Sequence, residues 1–477
     1  MQLRKGVVLA APKSGSGKTL ITCAMIEALK EKEVPVVSYK CGPDYIDPMF
    51  HRTILGVPGG NLDTFFTGEA DTRNLFLAQT KKEAFAVVEG VMGLFDGLGG
   101  IKEEASTYHL AKTLSLPVVL IVDAHGMGRS ILSILAGFLS YDKEHLIKGV
   151  ILNRVSKMFF ASLANLIESE LDIQVLGYFP EQKELHLESR HLGLKMPQEK
   201  KNLKEQVRVA AKSLAETVDL EALLALGSAS VRESDLPGEN DVKEDRQIRL
   251  TGAATHEIVK KNTILAVAYD EAFCFYYQEN LRALEQAGFS LQFFSPVHDQ
   301  KLPEGASALL LGGGYPELFA KELSENQEMM QSIVTAIRDG MPSVAECGGF
   351  MYLHRTLTTE DGVTYPMCNI LPADCSYQGK LVHFGYAAFQ EEKPLFLKKG
   401  ETIKGHEFHY FDSTENGMSC KAVKPTGKRE WNCVHAGDNH WWGFPHLYYP
   451  SNPDFVAHFY QKALEYADSC EKASPQA

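Results

Sequence analysis

The sequence lacks any pair of cysteines at CxxC spacing, although nine cysteines are scattered along its 477 residues. It therefore indicates neither a disulfide framework nor a zinc site, and the thiols fit a reducing cytoplasm. An excess of basic residues is also absent: the formal net charge of −13 argues against non-specific binding of nucleic acid. Long hydrophobic runs are missing too. The first apolar run has only about six residues, which predicts a buried strand and no signal peptide or membrane span.

Short apolar runs alternate with helical patterns through the first half of the chain. They occupy residues 6–10, 34–39, 84–88, 118–122, 149–152 and 173–178. Most are rich in Val, Ile and Leu, which is typical of buried parallel strands, and the alternation predicts a doubly wound α/β sheet. Ligands bind beyond the carboxyl ends of such strands, so the polar residues that follow these runs are the functional candidates.

A change of composition separates two parts of the chain. Residues 227–262 are charged, almost without aromatic side chains and without periodicity, which predicts an exposed linker. A second α/β unit follows, with strands predicted at Thr263–Ala268, 291–294, 308–311 and 343–345. We therefore expect a domain over residues 1–226, a linker over 227–262, a second domain over 263–470 and a tail over 471–477.

The chain opens with a strand, a glycine-rich loop and a helix, which is the context of a phosphate-binding loop. Lys18 would reach the β- and γ-phosphates of a nucleotide, and Thr19 would ligate Mg²⁺. Pro12 stands where the strict pattern has glycine, so the loop is a variant; a glycine-rich turn before an ordinary helix is the alternative. The residues whose backbone N–H groups would surround the phosphates are Gly15, Ser16 and Gly17.

Acidic residues follow several of the predicted strands, in the segments YKCGPDYIDPMFH and EGVMGLFDG. Asp44 and Asp47 lie in the first segment, and Glu89 and Asp96 lie in the second. One such residue alone is more often a helix cap or a turn former. Several at one sheet edge beside a phosphate-binding loop favour ligation of Mg²⁺, because bound phosphates need a neutralising metal.

Cys347 lies between a predicted strand and a pair of glycines, in the segment AECGGFMYL. A cysteine on so sharp a turn is expected to be exposed, with its pKa lowered by the following helix N-terminus, as an attacking thiolate requires. Taken alone, a buried structural cysteine would be the better interpretation. The segment LLLGGGYPE lies upstream, and its Gly313 and Gly314, together with Gly348, would donate backbone N–H groups to an oxyanion.

Activation of the thiol needs a base, and histidine is the usual one. The chain has sixteen histidines. On sequence alone His383, His406, His409 and His446 compete for this role.

These segments resemble the cobyrinate a,c-diamide synthase family, in which a nucleotide-binding half similar to dethiobiotin synthetase is joined to a class I glutamine amidotransferase domain. The resemblance runs along essentially the whole chain, through AAPKSGSGKT, KCGPDYIDPMFH, NLD, EGVMGLFDG, RHLGL (residues 190–194), GGGYPE, ECGGFMYL and GHEFHY. It implies that Thr19, Asp47 and Glu89 hold Mg²⁺ and that Asn153 contacts the adenine of ATP. The residues that it places at the junction of nucleotide and substrate are Asp44, Tyr45, Asp47 and Asp96.

In the second half the resemblance favours His446 as the base that works with Cys347. Amidotransferases with a triad carry a carboxylate two residues after the histidine, whereas Tyr448 stands there in this chain. A Cys–His dyad is therefore implied. Because no acid stabilises the imidazolium, we expect slow idle hydrolysis of glutamine.

Together the two halves predict a cytoplasmic amide ligase that uses ATP, Mg²⁺ and L-glutamine. The resemblance alone implies the acceptor, which would be cobyrinate, amidated at its a and c carboxylates in cobalamin biosynthesis. Hydrogenobyrinate and nickel-sirohydrochlorin stay open as substrates of the same reaction. The related cobyrate synthases lack the PDYIDP loop, and cytidine triphosphate synthase has a Cys–His–Glu triad. A nucleotide-dependent switch protein with an inactive amidase domain is the alternative from another class, and it need not keep Cys347 and His446.

Overall fold

The computed structural model describes residues 4–182, 197–228, 263–427 and 429–473. The chain forms two compact units, Met1–Pro237 and Gly238–Ala477. The family segment at 190–194 and residues 229–262 of the predicted linker lie outside the described residues. The domain limits given above therefore stay predictions.

The first unit is built on a parallel sheet. Its strands are β1 (Lys5–Ala10), β2 (Val36–Cys41), β3 (Gly59–Leu62), β4 (Phe85–Glu89), β5 (Val118–Asp123), β6 (Ile147–Asn153) and β7 (Gln174–Phe179). They lie in the order β3-β2-β4-β1-β5-β6-β7, and every neighbouring pair is parallel. The six predicted strands are confirmed with small shifts at their ends. Strand β3 was not predicted, because its sequence GGNL offers a single apolar side chain.

Helices connect these strands and bury their apolar side chains against the sheet. They are α1 (Lys18–Glu31), α2 (Ile46–Thr53), α3 (Thr64–Gln79), α4 (Thr107–Leu114), α5 (Ile131–Tyr141), α6 (Lys157–Glu170), α7 (Pro197–Thr217) and α8 (Leu220–Ser228). Polar caps fix where some of them begin: Asp63 accepts hydrogen bonds from two backbone N–H groups of α3, and Ser106 accepts one from α4. The loops after β1, β2, β4 and β5 share the carboxyl edge of the sheet, where ligands are expected.

The second unit holds a mainly parallel sheet and two smaller sheets. Its strands are β8 (Thr263–Ala268), β9 (Phe289–Phe294), β10 (Ala306–Leu311), β11 (Ser343–Glu346), β12 (His354–Thr358), β13 (Thr364–Pro366), β14 (Leu371–Tyr377), β15 (His383–Glu391), β16 (Thr402–His409), β17 (Phe411–Ser413), β18 (Cys420–Val423), β19 (Glu430–Cys433), β20 (His435–Gly437), β21 (His440–Gly443) and β22 (His446–Leu447). The main sheet has the order β20-β21-β11-β10-β8-β9, and only its edge pair β20–β21 is antiparallel. The smaller sheets have the orders β13-β12-β14-β17 and β19-β18-β15-β16-β22. The four strands predicted for this unit are confirmed.

Both faces of the main sheet are buried. Alternate residues of β8, β10 and β11 enter two different apolar cores: Ala266, Leu309 and Ala345 lie in one, and their neighbours Leu265 and Leu310 lie in the other. The helices of this unit are α9 (Gln278–Ala287), α10 (Ala320–Glu325), α11 (Gln327–Arg338), α12 (Gly348–Leu353) and α13 (Pro453–Ala473). Helix α13 runs three residues past position 470. In the part of the chain that the structure describes, no helix is long and apolar enough to cross a membrane.

Candidate active sites

The loop between β1 and α1 has the backbone of a phosphate-binding turn. Gly15 and Gly17 have φ angles of 77° and 89°, in the left-handed region that favours glycine. At position 17 the space is also closed, since a Cβ there would lie 2.3 Å from Nδ2 of Asn153. The Ser16 hydroxyl donates a hydrogen bond to the carbonyl of Lys13 at 3.0 Å, which closes the turn.

Lys18 and Asn153 tie this loop to neighbouring strands. The Lys18 ammonium donates to the carbonyl of Met92 at 2.6 Å, in the loop that follows β4. Burial, and then the charge of Lys40, lower the pKa of Lys18. Asn153 ends β6 and donates from Nδ2 to the carbonyl of Ser16 at 2.9 Å. The Asn153 amide therefore lies against the loop, and its contact with adenine stays a prediction.

A buried polar network lies behind the loop and joins α1, β2, α2 and β4. Thr19 Oγ1 donates to Glu89 Oε1 at 2.7 Å. Lys40 Nζ donates to the same Glu89 oxygen at 2.9 Å and to Asp47 Oδ2 at 2.5 Å. The side chains of Lys40, Asp47 and Glu89 are at most 9% exposed. The structure thus brings together the three residues predicted to hold Mg²⁺ and adds a lysine that the sequence analysis did not single out.

The charged groups of this network shift one another's pKa values. Burial alone would lower the pKa of Lys40, but the carboxylates of Glu89 and Asp47 raise it well above its ordinary value. Burial acts against the ionised form of Asp47, yet Lys40 holds the pKa of that carboxyl below its usual range. Burial and then the charge of Asp47 raise the pKa of Glu89. Burial lowers the pKa of His51, whose Nε2 lies 3.5 Å from Glu89 Oε2, to about 4, so this imidazole is neutral.

The oxygen atoms of this network fit Mg²⁺. A hydroxyl and two carboxylates are hard ligands of the kind this ion prefers. The Oε2 atom of Glu89 is buried and has no hydrogen-bond partner among the described residues. Those residues contain no group of three His, Cys, Asp or Glu side chains able to hold an ion by themselves. Phosphate oxygens and water would therefore complete the coordination.

Asp44 and Asp96, two of the residues predicted at the substrate junction, stabilise backbone turns. Asp44 Oδ1 accepts hydrogen bonds from two backbone N–H groups of the first turn of α2, at 2.8 and 3.1 Å. Asp96 Oδ2 accepts one from Gly93 at 2.9 Å. Tyr45 is buried and stands directly before α2. The structure accounts for both aspartates as turn formers, and their roles toward a substrate stay predictions.

Cys347 occupies a strained turn between β11 and α12. Its φ of 45° and ψ of −101° are unfavourable for any residue other than glycine. The turn is closely packed: the Cys347 N–H donates to the Gly443 carbonyl at 2.9 Å, and a Cβ on Gly349 would lie 2.1 Å from the Leu311 carbonyl oxygen. Such strain at one non-glycine residue is typical of a nucleophile held at the end of a strand.

The expected exposure of Cys347 was wrong. The residue is only 7% exposed. The expected lowering of its pKa was wrong as well. Burial, followed by the negative charge of Glu317, raises the pKa of the Cys347 thiol, and the nearby Gly348 N–H opposes this only in part. The helix that follows Cys347 has only six residues.

The glycine turn after β10 contacts both the neighbour of Cys347 and His446. A Cβ on Gly313 would lie 2.4 Å from Cε1 of His446. A Cβ on Gly348 would lie 3.1 Å from the backbone N of Gly314. Only glycine leaves room at these positions. The structure therefore brings together the glycines predicted to stabilise an oxyanion, the cysteine turn and the favoured base.

His446 is deeply buried next to a second histidine. Strand β22 pairs with β16 so that His446 lies opposite His406, and the two rings stack with centroids 4.9 Å apart. Burial and then His406 lower the pKa of His446 well below its ordinary value, so the imidazole is neutral, as a general base must be. Burial lowers the pKa of His406 to about 3, and its Nδ1 lies 3.1 Å from the Tyr277 hydroxyl.

The two other candidate histidines have different surroundings. Both ring nitrogens of His409 have partners: Nδ1 lies 2.6 Å from the Phe411 carbonyl oxygen and Nε2 lies 3.0 Å from Glu407 Oε2. His383 stacks on Trp431 with centroids 4.3 Å apart. The contact of His446 with the glycine turn therefore supports it as the base.

Sequence reasoning missed three charged residues that act on the predicted site residues. Lys40 pairs with Asp47 and Glu89. The charges of Glu317 and Glu407 raise the pKa of Cys347. A signal for Lys40 was available, since a lysine within an apolar strand requires a buried partner. Glu317 is the last residue of the segment LLLGGGYPE and Glu407 lies in GHEFHY. The sequence does not indicate which residues surround either glutamate in the fold.

The fold and the two sites define a two-part protein: a P-loop nucleotide-binding domain followed by a glutamine amidotransferase domain. Residues 7–194 match the family described as the CobQ/CobB/MinD/ParA nucleotide binding domain, and residues 264–443 match the CobB/CobQ-like glutamine amidotransferase domain. The cobyrinate a,c-diamide synthase of Caldanaerobacter subterraneus subsp. tengcongensis is 40% identical over 447 residues, which are 92% of this chain and 94% of that protein. Those of Listeria innocua and Salmonella typhimurium are each 37% identical, over 94% and 95% of this chain and 97% and 96% of the relatives. The chain belongs to the cobyrinate a,c-diamide synthase family.

Proposed function

We propose that this protein is an ATP-dependent, glutamine-hydrolysing ligase that amidates the a and c carboxylates of cobyrinate in cobalamin biosynthesis. The observation that carries the proposal is the presence of two different sites in one chain. One is the buried Thr19–Glu89–Lys40–Asp47 network behind a phosphate-binding loop. The other is the strained Cys347 turn beside a glycine turn that contacts His446. The relatives that match most of the chain carry the name of this activity.

The second unit would release ammonia from glutamine. The thiol of Cys347 gives its proton to His446 as the sulfur attacks the carboxamide carbon. Backbone N–H groups stabilise the negative oxygen of the tetrahedral intermediate. Ammonia leaves with the proton from His446, and water hydrolyses the thioester to glutamate and the free thiol. The glycines that supply the N–H groups are Gly313, Gly314 and Gly348.

The first unit would activate the carboxylate that accepts ammonia. Transfer of the γ-phosphoryl group of ATP gives an acyl phosphate, and ammonia then displaces phosphate to form the amide. Lys18 binds the phosphates, and Lys40 adds a fixed positive charge between Asp47 and Glu89. Phosphoryl transfer depends mainly on positioning and charge neutralisation, which this site supplies. Two rounds give the diamide.

ATP and Mg²⁺ are the proposed cofactors. Thr19, Asp47 and Glu89 would hold the ion, and bound Mg²⁺ would neutralise phosphate charge. The remaining proposed contacts are those of Gly15, Ser16, Gly17 and Asn153 with the nucleotide and of Asp44, Tyr45, Asp47 and Asp96 at the substrate junction. We place the nucleotide domain at residues 1–226, the linker at 227–262, the amidotransferase domain at 263–470 and the tail at 471–477. The nine unpaired cysteines favour a cytoplasmic location.

The test offers the purified protein ATP, Mg²⁺ and glutamine labelled in its amide nitrogen, with one of three acceptors: cobyrinate, hydrogenobyrinate or nickel-sirohydrochlorin. We expect mass spectrometry to show two labelled amides in cobyrinate. Diamidation of only one of the other acceptors would show that this acceptor is the substrate, and the proposed reaction chemistry would stay the same. Hydrolysis of ATP without any release of ammonia from glutamine would contradict the proposal and favour a nucleotide-dependent switch.

A further inference from the structure

Glu317 lies on the loop that faces the nucleophile of the second unit. It is the second residue of the short helical turn Pro316–Phe319, directly beyond the glycine turn. This loop packs against the neighbour of Cys347, since a Cβ on Gly348 would lie 2.9 Å from Cδ of Pro316. This packing places Glu317, the residue after Pro316, beside the Cys347 turn. In agreement with this position, the charge of Glu317, after burial, raises the pKa of the Cys347 thiol.

Among the residues that the structure describes, no positively charged side chain neutralises the carboxylate of Glu317. No lysine, arginine or histidine there forms an ion pair with Glu317, and its hydrogen bond comes from its own backbone N–H. The residue is half-buried, so a ligand can reach it, while loss of solvent raises the pKa of its carboxyl to about 7. A negative charge beside a thiol that must become a thiolate opposes catalysis unless a cation joins it.

The proposed substrate supplies such a cation, because L-glutamine carries an α-ammonium group a few bonds from its carboxamide. We propose that Glu317 binds the α-ammonium group of glutamine and makes the site select glutamine over amides that lack this group. The inference rests on the proposed hydrolysis of glutamine and names the contact that recognises the substrate. A metal ion is the less fitting ligand, since one carboxylate alone does not hold Mg²⁺ or Ca²⁺.

Binding of this group also prepares the nucleophile. The ammonium neutralises the charge of Glu317, so formation of the Cys347 thiolate costs less when glutamine is present. The bond changes stay those given above: the thiol proton passes to His446, the carbon–sulfur bond forms, the carbon–nitrogen bond breaks, and ammonia leaves with the proton. Glu317 exchanges no atom. An amide without the α-ammonium group gains no such activation.

The test compares ammonia release from L-glutamine and from 4-carbamoylbutanoate, which is glutamine without its α-amino group. Since a hydrogen bond between charged groups strengthens binding and the ammonium group also favours the thiolate, we expect a preference for glutamine of about 10- to 100-fold in kcat/KM, through both KM and kcat. Glu317→Gln should abolish the preference. Glu317→Asp, which keeps the charge, should retain most of it. Glu322→Gln, at an exposed acid of α10, is the matched control and should keep it in full.

A second measurement follows the alkylation of Cys347 by iodoacetamide without substrate over a range of alkaline pH, by mass spectrometry of its peptide. Removal of the neighbouring charge should shift the pH profile of alkylation to lower pH in Glu317→Gln but not in Glu322→Gln, whereas a structural change would alter the rate without shifting the profile. An unchanged preference for glutamine in Glu317→Gln would overturn the inference. If the unaltered protein released no ammonia from glutamine at all, the proposed function itself would be wrong, and the proposed contact between Glu317 and glutamine would be wrong with it.

Discussion

At the scale of single residues, Glu346 makes the stability of the second unit depend on pH. It directly precedes Cys347, is 4% exposed, and accepts a hydrogen bond from the Tyr449 hydroxyl at 3.0 Å. Burial raises its pKa from 4.5 to about 8. Between these values the folded state keeps a proton that the unfolded state has lost, so the free energy of unfolding falls as pH rises. The loss approaches about 1.4 kcal/mol per pH unit inside this window.

We predict that Glu346→Gln removes this loss, because glutamine cannot ionise and still accepts the bond from Tyr449. The stability of the variant relative to the unaltered protein should therefore increase from pH 6 to pH 8. The three tryptophans all lie in the second unit, so their fluorescence during denaturation by urea reports this unit. Glu304→Gln, at an exposed acid, is the control. Parallel pH dependence in Glu346→Gln and the unaltered protein would show that Glu346 does not titrate in this range.

The second prediction at this scale concerns His446. His446→Ala should lower glutamine hydrolysis about as much as Cys347→Ala, by at least about 100-fold, because nucleophile and base act as a unit. The double variant should be little worse than either single one. Tyr448→Phe should be far milder, since the Tyr448 ring packs edge-on against Tyr277 and the phenylalanine ring keeps that packing.

Initial rates of ammonia release from glutamine measure these effects, and synthesis with free ammonium checks that the first unit is intact. An unaltered rate in His446→Ala would transfer the role of base to His383, His406 or His409. A severe loss in folded Tyr448→Phe would show that the phenol orients the base, and the simple dyad would be wrong.

At the scale of strands and helices, the sequence predicted the parallel sheets and missed the small sheets. Strands β1, β4 and β5 contain the continuous apolar runs VVLA, FAVV and VVLIV, which are fully buried, so local composition indicates them. Strand β16, TIKGHEFH, mixes polar and apolar residues. It depends on pairing with β15 and with β22, some forty residues away, and such non-local pairing leaves no local pattern.

For the two sites, as for the strands, the sequence predicted the features that depend on local sequence and missed those that depend on packing between distant segments. Chain order fixes which residues follow the parallel strands, so the sequence indicated the loop at 15–19, Glu89 and Cys347. The role of Lys40 requires that β2 and β4 be neighbours in a register that places Lys40 beside Glu89, which only the fold shows. The burial of Cys347 and its exposure to the charge of Glu317 likewise depend on packing between distant segments. The identities of the reacting groups could therefore be predicted, whereas their electrostatic surroundings could not.

At the scale of the whole molecule, the residues proposed for the two half-reactions lie in different units. The polar network of Thr19, Lys40, Asp47 and Glu89 lies in the first unit and the Cys347 turn lies in the second. Ammonia is the one intermediate that both halves need, so a defect in one half should leave the other half measurable. Substitution of one residue in each unit tests this division.

We predict that Cys347→Ala abolishes synthesis with glutamine but leaves synthesis with free ammonium close to that of the unaltered protein. Lys18→Ala should lower synthesis at least about 100-fold with either nitrogen donor, because a contact with the transferring phosphoryl group contributes several kcal/mol, while glutamine hydrolysis continues. Amide formation with each donor, measured beside ammonia release, separates the two effects. Cys470→Ala, at an exposed cysteine of α13, is the control for the thiol. If Cys347→Ala lost both activities equally while folded, the cysteine would have to act in the ligase step as well. Full synthesis by Lys18→Ala would show that the nucleotide does not bind at the loop after β1. The proposed division of the reaction between the two units would then be wrong as well.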